Sequence, residues 1–554
     1  MSDGNTVSDV TERLSRLSQE ERALLFEKLR RKKEQVAPAG VEETASIPRR
    51  IDPGTPPPLS FSQQRLWFLH RVAPEDPVYN VPMAALVRGP LDPVALQRAL
   101  AAVCSRHESL RTTFGVLEGA PVQLIAPALE IPLPVVDLPC LPGEPAEAAE
   151  IDRLCRDIFS LPFDLATGPL FRAVLLRLAP ERHVLVLVQH HVISDGWSLG
   201  ILVRDLLALY RASLRGEDPG AALPPLSIQY ADFSLWQRQW LRGERLEQQL
   251  AVWRRRLGDL PPPLELPIDH PRPPLKSSRG ASGPLHLSAS EMAGVSSLAR
   301  REGATPYMVL MSILQVLLHR YTGQAAFAVG SAVANRNRPE LKELIGFFVN
   351  TLALRADVSD TADTAGGLTI SGLMARVREI ALEAFAHQDL PFEKLVEELR
   401  PERDPSRTPI FQVSLSLLNT PKPQLDFGDL SLEVPHLDTG LVKFDLDFSF
   451  EPDGGGGLGG SLSYSTDLFE AATAARMAGH FRSLLAAALA DCTQRVAELD
   501  MLGDLERRQL LDGWNRTAVE WPREASPAGL VEARAAARPE APAVVSPIGL
   551  AGAV

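Results

Sequence analysis

An α/β fold is predicted for most of this 554-residue chain, and three observations predict it. Apolar residues recur at helical spacing in 91–106, whereas 184–188 is an unbroken apolar run rich in β-branched residues, which is typical of a buried strand. Helix and strand patterns then alternate from residue 59 to about residue 495. A Gly- and Pro-rich break at 214–226 predicts a crossing between two lobes, 49–225 and 226–500.

Composition indicates a folded protein with no surface suited to nucleic acid. Hydrophobic residues make up 45% and charged residues 23%, so the chain can bury a sizeable core. The net charge of −12 argues against a surface that follows phosphates. No nucleic-acid partner is therefore expected.

The cellular setting is predicted from the cysteines and from the apolar segments. The four cysteines have neither CxxC spacing nor the density of a disulfide scaffold; they are Cys104, Cys140, Cys155 and Cys492. The polar, acidic start is not a signal peptide, and the longest apolar stretch, 307–318, is shorter than the about 20 residues that span a bilayer. The sequence predicts a cytoplasmic protein without a membrane partner.

The N-terminal segment 1–48 differs in composition from the rest. Ser18 and Glu21 form a capping-box pattern that predicts a helix over 18–34, which ends in a basic run. A Pro-rich stretch at 38–58 then predicts a semi-rigid linker. The helix is interpreted either as a docking element or as a charged, disordered tail.

Two adjacent histidines come directly after the 184–188 strand. His190 and His191 are followed by Asp195 and Gly196, and then by an amphipathic helix predicted over 199–214. Because neighbouring side chains on a strand point to opposite faces, one imidazole is expected to face a cavity while the other packs. Asp195 is expected to turn back into the loop or to pair with an arginine, and Gly196 to allow a backbone angle or a close approach.

Two other interpretations fit this segment less well. The first is a pair of core histidines beside an Asp-Gly turn, but four fixed positions in the pattern HHxxxDG are more than such a turn requires. The second is a metal site. No Cys or Glu lies nearby at ligand spacing and adjacent histidines diverge, so no metal is expected.

Taken in order, the motifs of this chain resemble those of the condensation domains of nonribosomal peptide synthetases. The matching segments are 60–67 (SFSQQRLW), 106–114 (RHESLRTTF), 190–198 (HHVISDGWS), 230–236 (YADFSLW), 345–355 (IGFFVNTLALR), 387–393 (HQDLPFE) and 403–410 (RDPSRTPI). They occur in the order of the family, and the resemblance continues to about residue 500. It implies two lobes similar to chloramphenicol acetyltransferase, which form a V-shaped pseudo-dimer around a central tunnel.

The resemblance also implies roles for individual residues. His191 would lie midway along the tunnel as the catalytic histidine, with His190, Asp195 and Gly196 in the same motif. Arg111 would pair with Asp195 and hold the loop. Supporting roles fall to Trp197 and Ser198, and the candidates for lining the tunnel are Asn350, His387, Gln388 and Asp389.

The implied reaction is peptide bond formation between two thioesters. An upstream carrier protein would deliver the donor and a downstream carrier the acceptor, each on phosphopantetheine, with no intrinsic cofactor. His191 can take a proton from the attacking ammonium or hold the free amine by a hydrogen bond, and the sequence leaves both roles open. The backbone N–H near Gly196 is a hypothetical oxyanion donor.

Three rival functions remain beside condensation. Epimerisation domains share HHxxxDG, but 60–68, 345–355 and 387–399 resemble the class that joins an L-donor to an L-acceptor. A recruitment platform without catalysis would usually carry a degraded motif, whereas here the motif is intact. A free-standing acyltransferase that uses coenzyme A thioesters fits less well with the segments on either side of the lobes.

The C-terminal segment 501–554 is predicted to connect to another domain. Residues 510–518 (LLDGWNRTA) resemble the linker that follows a condensation domain, and 530–545 resemble the first helix of an adenylation domain. Neither a carrier motif nor a nucleotide-binding motif occurs in the sequence. The chain is therefore expected to be a piece of a larger synthetase that contains an adenylation domain.

Overall fold

The computed structural model describes residues 46–52, 54–138, 144–259, 263–360, 366–402, 404–418, 430–435, 438–518 and 526–540. The chain divides into two units, Met1–Arg49 and Arg50–Val554. Only residues 46–49 of the first unit are described, so the predicted docking helix at 18–34 lies outside the described residues. The fold below is that of the second unit.

Helices and strands alternate along the second unit, as the sequence patterns predict. The α-helices are α1 Phe61–Val72, α2 Pro93–Arg106, α3 Glu144–Phe159, α4 Gly196–Leu214, α5 Tyr230–Trp240, α6 Glu244–Leu257, α7 Ala289–Arg301, α8 Pro306–Thr322, α9 Ile370–Ala386, α10 Phe392–Leu399, α11 Ala471–Ala490, α12 Asp504–Arg508 and α13 Pro527–Ala537. The strands are β1 Asn80–Arg88, β2 Thr112–Leu117, β3 Ala120–Ile125, β4 Val135–Asp137, β5 Phe171–Ala179, β6 Arg182–His190, β7 Gly280–Pro284, β8 Ala326–Val333, β9 Asn350–Asp357, β10 Val413–Leu417, β11 Ser431–Glu433, β12 Leu446–Pro452 and β13 Leu458–Ser465.

The first large sheet carries the histidine pair at the end of its central strand. Its strand order is β11-β1-β6-β5-β4, with β6 antiparallel to both β1 and β5. Every residue of β6 from His183 to His190 is buried, which explains the unbroken apolar run at 184–188. β2 and β3 form a separate hairpin.

The second large sheet belongs to the C-terminal half. Its strand order is β7-β13-β12-β10-β8-β9. β10 runs parallel to β8 and β12, and the remaining pairs are antiparallel. The apolar stretch predicted as a buried helix lies in α8, which packs against this sheet with its residues Met308–Leu318 buried.

Each half of the second unit has its own hydrophobic core. One cluster runs from Leu59 to Tyr210 and the other from Leu250 to Leu499. Among the described residues of the C-terminal half, Ile345, Phe347 and Leu430 nevertheless belong to the first cluster. The two cores are therefore joined by segments that cross from one half to the other.

Strand β11 is the clearest of these crossings. It comes from the C-terminal half but pairs with β1 at the edge of the first sheet, where Leu432 lies opposite Val87. Its neighbour Leu430 is buried in the first core. The break predicted at 214–226 divides the sequence into two halves. It does not divide the sheets in the same way, because β11 of the C-terminal half belongs to the first sheet.

Candidate active site

His191 is held at the end of β6 in one fixed orientation. It begins a short 3-10 helix, His191–Ile193, and its Nδ1 lies 2.9 Å from the carbonyl oxygen of Ser194. A carbonyl oxygen can only accept, so Nδ1 carries the hydrogen and donates it. In the neutral ring, Nε2 is then left with its lone pair, which can accept a hydrogen from a substrate amine.

The surroundings of His191 favour the neutral imidazole. The ring packs edge-on against Phe347, with 4.7 Å between the ring centroids. Burial lowers the pKa of His191 well below its usual value, and the nearby positive charges of Lys443 and Arg65 lower it further. At neutral pH the ring is therefore unprotonated and able to act as a base or as a hydrogen-bond acceptor.

His190 has a different environment and does not line the large cavity described below. It is 4% exposed, and its Nδ1 accepts a hydrogen bond of 3.1 Å from the backbone N–H of Val192. Its ring lies 6.2 Å from Phe163 and 6.5 Å from Tyr79 between ring centroids. Burial, together with neighbouring positive groups, lowers its pKa to about 3. This arrangement suits a residue that braces the loop.

Asp195 is fully buried and organises the start of α4. Its Oδ1 accepts a hydrogen bond of 2.8 Å from the backbone N–H of Ser198, which caps the helix. Its Oδ2 accepts a hydrogen bond of 3.0 Å from the backbone N–H of Phe348 in the other half of the chain. With both carboxylate oxygens accepting backbone hydrogen bonds, Asp195 fixes the loop.

The predicted partner of Asp195 is wrong: the paired arginine is Arg336, not Arg111. Nη2 of Arg336 donates to Oδ1 of Asp195 at 3.0 Å. Arg111 instead donates to the backbone carbonyl of Ala126 and lies 4.0 Å from Glu108. Arg111 precedes β2 and is engaged with the β2–β3 hairpin, whereas Asp195 faces the segment before β9 that contains Arg336.

Sequence reasoning missed Arg336 because 141 positions separate it from Asp195 and no motif contains it. A weak signal was present, since Arg336 comes shortly before the 345–355 motif, whose Phe348 also binds Asp195. Arg336 also donates to the carbonyls of Leu341 and Leu344. The buried guanidinium thus ties α4 to the 336–348 segment of the C-terminal half.

Gly196 is the first residue of α4. It does not have a positive φ, and a Cβ placed on it would meet no protein atom within 4 Å. The expectation of a special backbone angle or of close packing against protein is therefore wrong. Gly196 borders the large cavity, so the missing side chain leaves space on the cavity side.

Trp197 and Ser198 join the two halves beside the site. Trp197 borders the large cavity, and its Nε1 donates to the carbonyl of Lys342 at 3.2 Å. Ser198 Oγ donates to the carbonyl of Gly346 at 2.9 Å and accepts from Arg336 at 2.7 Å. Both side chains therefore contact the 336–348 segment of the C-terminal half.

Of the four candidates for lining the tunnel, only Gln388 borders the large cavity. Asn350 is 4% exposed, and its Nδ2 donates to the carbonyls of Gln388 and Leu390 while its Oδ1 accepts from the N–H of Phe392. It shapes the 387–393 loop from behind. His387, which donates to the carbonyl of Glu383 at 3.2 Å, and Asp389 are partly buried without bordering this cavity.

A large cavity opens beside His191 between the two halves of the second unit. It has a volume of about 1200 Å³. Its walls include Met83, Val203, Tyr307, Phe385 and Leu417, so much of the lining is apolar. A cavity of this size with one neutral imidazole on its wall can hold a substrate chain against a proton acceptor.

Neither a metal cluster nor a membrane helix is found in the described ranges. No group of three or more His, Cys, Asp and Glu side chains there is arranged to hold a metal ion. None of the helices in the described ranges is both long and apolar enough to cross a bilayer.

Residues 55–511 match the condensation domain family, over most of the chain. The chain belongs to this family. One of the proteins that make up the linear gramicidin synthase of Brevibacillus parabrevis is 45% identical over 469 residues, 84% of this chain and 6% of that protein. Phosphinothricin tripeptide synthetase PhsC of Streptomyces viridochromogenes is 40% identical over 550 residues, 98% of this chain and 48% of that protein. The chain thus spans less than half the length of these curated relatives.

Solved structures show the same fold. The X-domain in its complex with OxyB from teicoplanin biosynthesis has a TM-score of 0.74 and 29% identity, with 84% of this chain and 100% of that chain covered. A four-domain nonribosomal peptide synthetase bound to AMP and glycine has a TM-score of 0.71 and 24% identity, over 84% of this chain and 35% of that one.

These comparisons confirm the predicted family and, for the second unit, the predicted V-shaped α/β fold with two lobes similar to chloramphenicol acetyltransferase. They also confirm the predicted enzyme class, an acyltransferase that forms amides, and do not favour the rival functions. Condensation domains work on thioesters bound to carrier proteins, in synthetases that also contain adenylation domains. The roles of single residues remain predictions.

Proposed function

We propose that this condensation domain joins a carrier-bound acyl or peptidyl thioester to the amine of a carrier-bound aminoacyl thioester, with His191 as its catalytic residue. The observation that carries the proposal is the hydrogen bond from His191 Nδ1 to the Ser194 carbonyl. It leaves a neutral Nε2 as acceptor on a ring that borders the large cavity.

The reaction needs a proton acceptor where the amine attacks. As the amine nitrogen bonds to the thioester carbon, it loses a proton, and Nε2 of His191 accepts the N–H hydrogen. When the C–S bond breaks, the electron pair leaves with the sulfur and the proton goes to the thiolate. The products are the amide on the acceptor carrier and the free thiol of the donor arm.

Positioning supplies the rest of the proposed mechanism. Asp195 and Arg336 are proposed to fix the loop, since they are bound to each other and to backbone groups on both sides of the site. The backbone N–H groups near Gly196, at the start of α4, are proposed to stabilise the oxyanion. Two tethered substrates meet at high effective concentration, so the histidine is not the only source of rate.

The remaining assignments follow the family. The donor is proposed to arrive on an upstream carrier and the acceptor on a downstream carrier, both as phosphopantetheinyl thioesters and both L-configured. No intrinsic cofactor is required by this chemistry. An adenylation domain that follows residues 501–554, a docking role for 1–48 and a cytoplasmic location complete the proposal.

The fold alone does not separate catalysis from recruitment. The X-domain among the structural relatives was solved bound to OxyB, a partner protein. In this chain, however, His191 is oriented by its own loop and borders a large cavity next to a glycine that leaves space. Amide formation needs an oriented imidazole beside a cavity that holds the substrate. A surface that only binds a partner protein does not need one.

The test is mass spectrometry of carrier-bound products with one loaded donor carrier and one loaded acceptor carrier. Wild-type protein is expected to place a dipeptide on the acceptor carrier. His191→Ala is expected to reduce the rate of dipeptide formation by at least about tenfold, since general-base catalysis usually contributes about 100-fold or more. His286→Ala, an exposed histidine, is the matched control. Carriers that bind without any dipeptide from several loaded pairs would instead support recruitment.

A further inference from the structure

The 345–348 segment contacts His191 through Phe347 and forms neither helix nor strand. Its four residues are buried, so their backbone polar groups need hydrogen-bond partners inside the protein. Side chains from residues 107–109, from α4 and from α5 supply them. The bonds join the Ile345 N–H to His107 Nδ1 at 3.4 Å, the Ile345 carbonyl to Ser109 Oγ at 2.8 Å, the Gly346 N–H and carbonyl to Ser198 Oγ at 3.1 and 2.9 Å, the Phe347 carbonyl to Tyr230 Oη at 2.7 Å, and the Phe348 N–H to Asp195 Oδ2 at 3.0 Å.

Tyr230, the first residue of α5, holds the carbonyl of Phe347. A carbonyl oxygen can only accept, so the single hydrogen of the tyrosine hydroxyl is donated there. Ser60 Oγ, 2.9 Å from the tyrosine oxygen, is then the donor of that second hydrogen bond. Tyr230 is 1% exposed, and burial raises its pKa. The hydroxyl therefore stays protonated and keeps its role as a donor to Phe347.

The ring of Tyr230 also packs against the segment. A Cβ placed on Gly346 would lie 2.0 Å from Cδ2 of Tyr230, closer than side chains approach each other. The centroid of the tyrosine ring lies 4.9 Å from that of Phe348. Because Gly346 has no side chain, the backbone can come close to the ring, which brings the Phe347 carbonyl within reach of the hydroxyl.

The peptide group between Phe347 and Phe348 is thus bonded on both sides. Its carbonyl oxygen accepts from Tyr230, and its N–H donates to Asp195. A peptide group is planar, so these two bonds fix its orientation. The backbone position of Phe347 follows from it.

The side chain of Phe347 carries this constraint to the imidazole of His191. The two rings lie 4.7 Å apart between centroids, with 64° between their planes. The hydrogen bond from Nδ1 to Ser194 anchors one atom of the imidazole, and a ring held at one atom can still tilt. Contact with Phe347 limits that tilt and covers part of the imidazole from water.

We propose that Tyr230 is a positioning residue for amide formation, which acts through the Phe347 ring on the orientation and hydration of the His191 imidazole. The inference rests on the proposed function, in which His191 is the catalytic residue. Tyr230 does not border the large cavity, whereas His191 does. An effect of Tyr230 on the reaction therefore has to pass through its neighbours.

Tyr230→Phe tests the proposal, because it removes the hydroxyl and keeps the ring. The first measurement is single-turnover dipeptide formation at saturating loaded carriers. The rate is expected to fall at least about fivefold, since a misplacement of about 1 Å can cost about 100-fold. The carrier concentration that gives half of the maximal rate should not change.

The second measurement is an NMR titration of isotope-labelled histidine, which does not depend on catalysis. The signal of His191 is assigned by its absence in His191→Ala. In the wild type this imidazole should stay neutral down to pH 5.5, because its pKa lies well below the usual 6.5. In Tyr230→Phe its pKa should rise towards 6.5, because water reaches the ring.

Tyr210→Phe is the matched control. Tyr210 is also buried, and its hydroxyl accepts a hydrogen bond of 3.0 Å from the backbone N–H of Asp92. It lies in the last turns of α4, about 21 Å along the helix from Gly196 at about 1.5 Å per residue. The loss of this hydroxyl should leave both the rate and the titration of His191 unchanged.

Phe347→Leu tests the route from Tyr230 to His191. It should give the same loss of rate and the same rise in the pKa of His191. The double variant, Tyr230→Phe with Phe347→Leu, should be no slower than the slower single variant, because the two side chains act in series. Losses that add in the double variant would overturn the proposal, and so would a wild-type titration of His191 in Phe347→Leu.

Tyr230→Phe can also overturn the proposal by itself. A wild-type rate would do so, and so would a slower rate with an unchanged titration of His191, because a purely structural role predicts that combination. Wild-type protein that forms no dipeptide refutes the proposed function instead. The NMR titration then still shows whether Tyr230 controls the environment of His191.

Discussion

The hydrogen bond between His191 and Ser194 determines how a single imidazole can act in this site. Because the Ser194 carbonyl fixes the hydrogen on Nδ1, the ring needs no carboxylate to hold its tautomer. Asp195, the nearest carboxylate in the motif, is used for the loop instead. The site therefore resembles a positioned acceptor more than a Ser-His-Asp triad, in which an aspartate stabilises the imidazolium.

The pH dependence of amide formation follows from this environment. The pKa of His191 is well below 6.5, so between pH 6 and pH 8 the imidazole stays neutral. The rate should fall with acidification only because the substrate amine protonates, at a pKa of about 7.7–8.0 for a terminal amine. Single-turnover rates from pH 5.5 to 9 should show this one inflection. His191→Ala should lower the curve without moving it, and a second inflection near pH 6.5 that disappears in this variant would contradict the assignment.

The ion pair between Arg336 and Asp195 gives a second prediction about a single residue. Arg336→Met leaves the fully buried carboxylate without its charged partner, a change that costs about 3–5 kcal/mol in buried pairs. Arg111→Met removes a partly exposed guanidinium and should cost less. Urea unfolding measures both. Equal free energies of unfolding for the two variants would mean that Arg336 does not hold the loop.

At the scale of elements, local sequence patterns predicted the strand before the histidine pair and the helix after it. The apolar run 184–188 lies within β6, and the helix predicted to start at residue 199 starts at Gly196, because Asp195 caps it. The motif at 345–355 was found by resemblance, although its contact with Asp195 was not. Contacts between residues far apart in sequence, such as Arg336 with Asp195, leave no periodic signal in either segment.

Strand β11 is a second example of a long-range contact that the sequence did not predict. Its residues Ser431–Glu433 are mostly exposed and too few for an alternating pattern, so nothing local predicts that they pair with β1. Leu430→Ala should destabilise the domain by about 2–5 kcal/mol, the usual cost for a buried leucine, and should increase hydrogen exchange in β1 near residues 86–88. Leu382→Ala, at an exposed leucine, is the control. Unchanged exchange in β1 would show that β11 does not protect this edge.

At the scale of the whole molecule, the buried histidines couple stability to pH. The pKa of His190 is about 3 in the folded protein and about 6.5 when unfolded, so between these values the unfolded chain binds the proton. Stability is therefore lost as the pH falls from about 6.5 towards 3. The free energy of unfolding should decrease less steeply between pH 6 and pH 4 in His190→Gln than in the wild type. If the free energy of unfolding fell equally steeply with pH in both proteins, His190 would not contribute to the pH dependence of stability.

The N-terminal segment 1–48, most of which lies outside the described residues, has its own test. Removal of residues 1–48 should slow transfer from the cognate upstream carrier when that carrier is limiting, because docking raises its local concentration. With excess carrier, the rate should match that of the full chain. Equal rates at limiting carrier would favour a charged tail over a docking element.

The crossing strand has a consequence for recombination between related synthetases. A chimera cut near residue 225 would receive β1 from one parent and β11 from the other, and would also divide the first core from Ile345 and Phe347. Arg336 and Asp195 would likewise come from different sequences. We expect such half-domain exchanges to require matched parents, whereas an exchange of both lobes as one block preserves every one of these contacts.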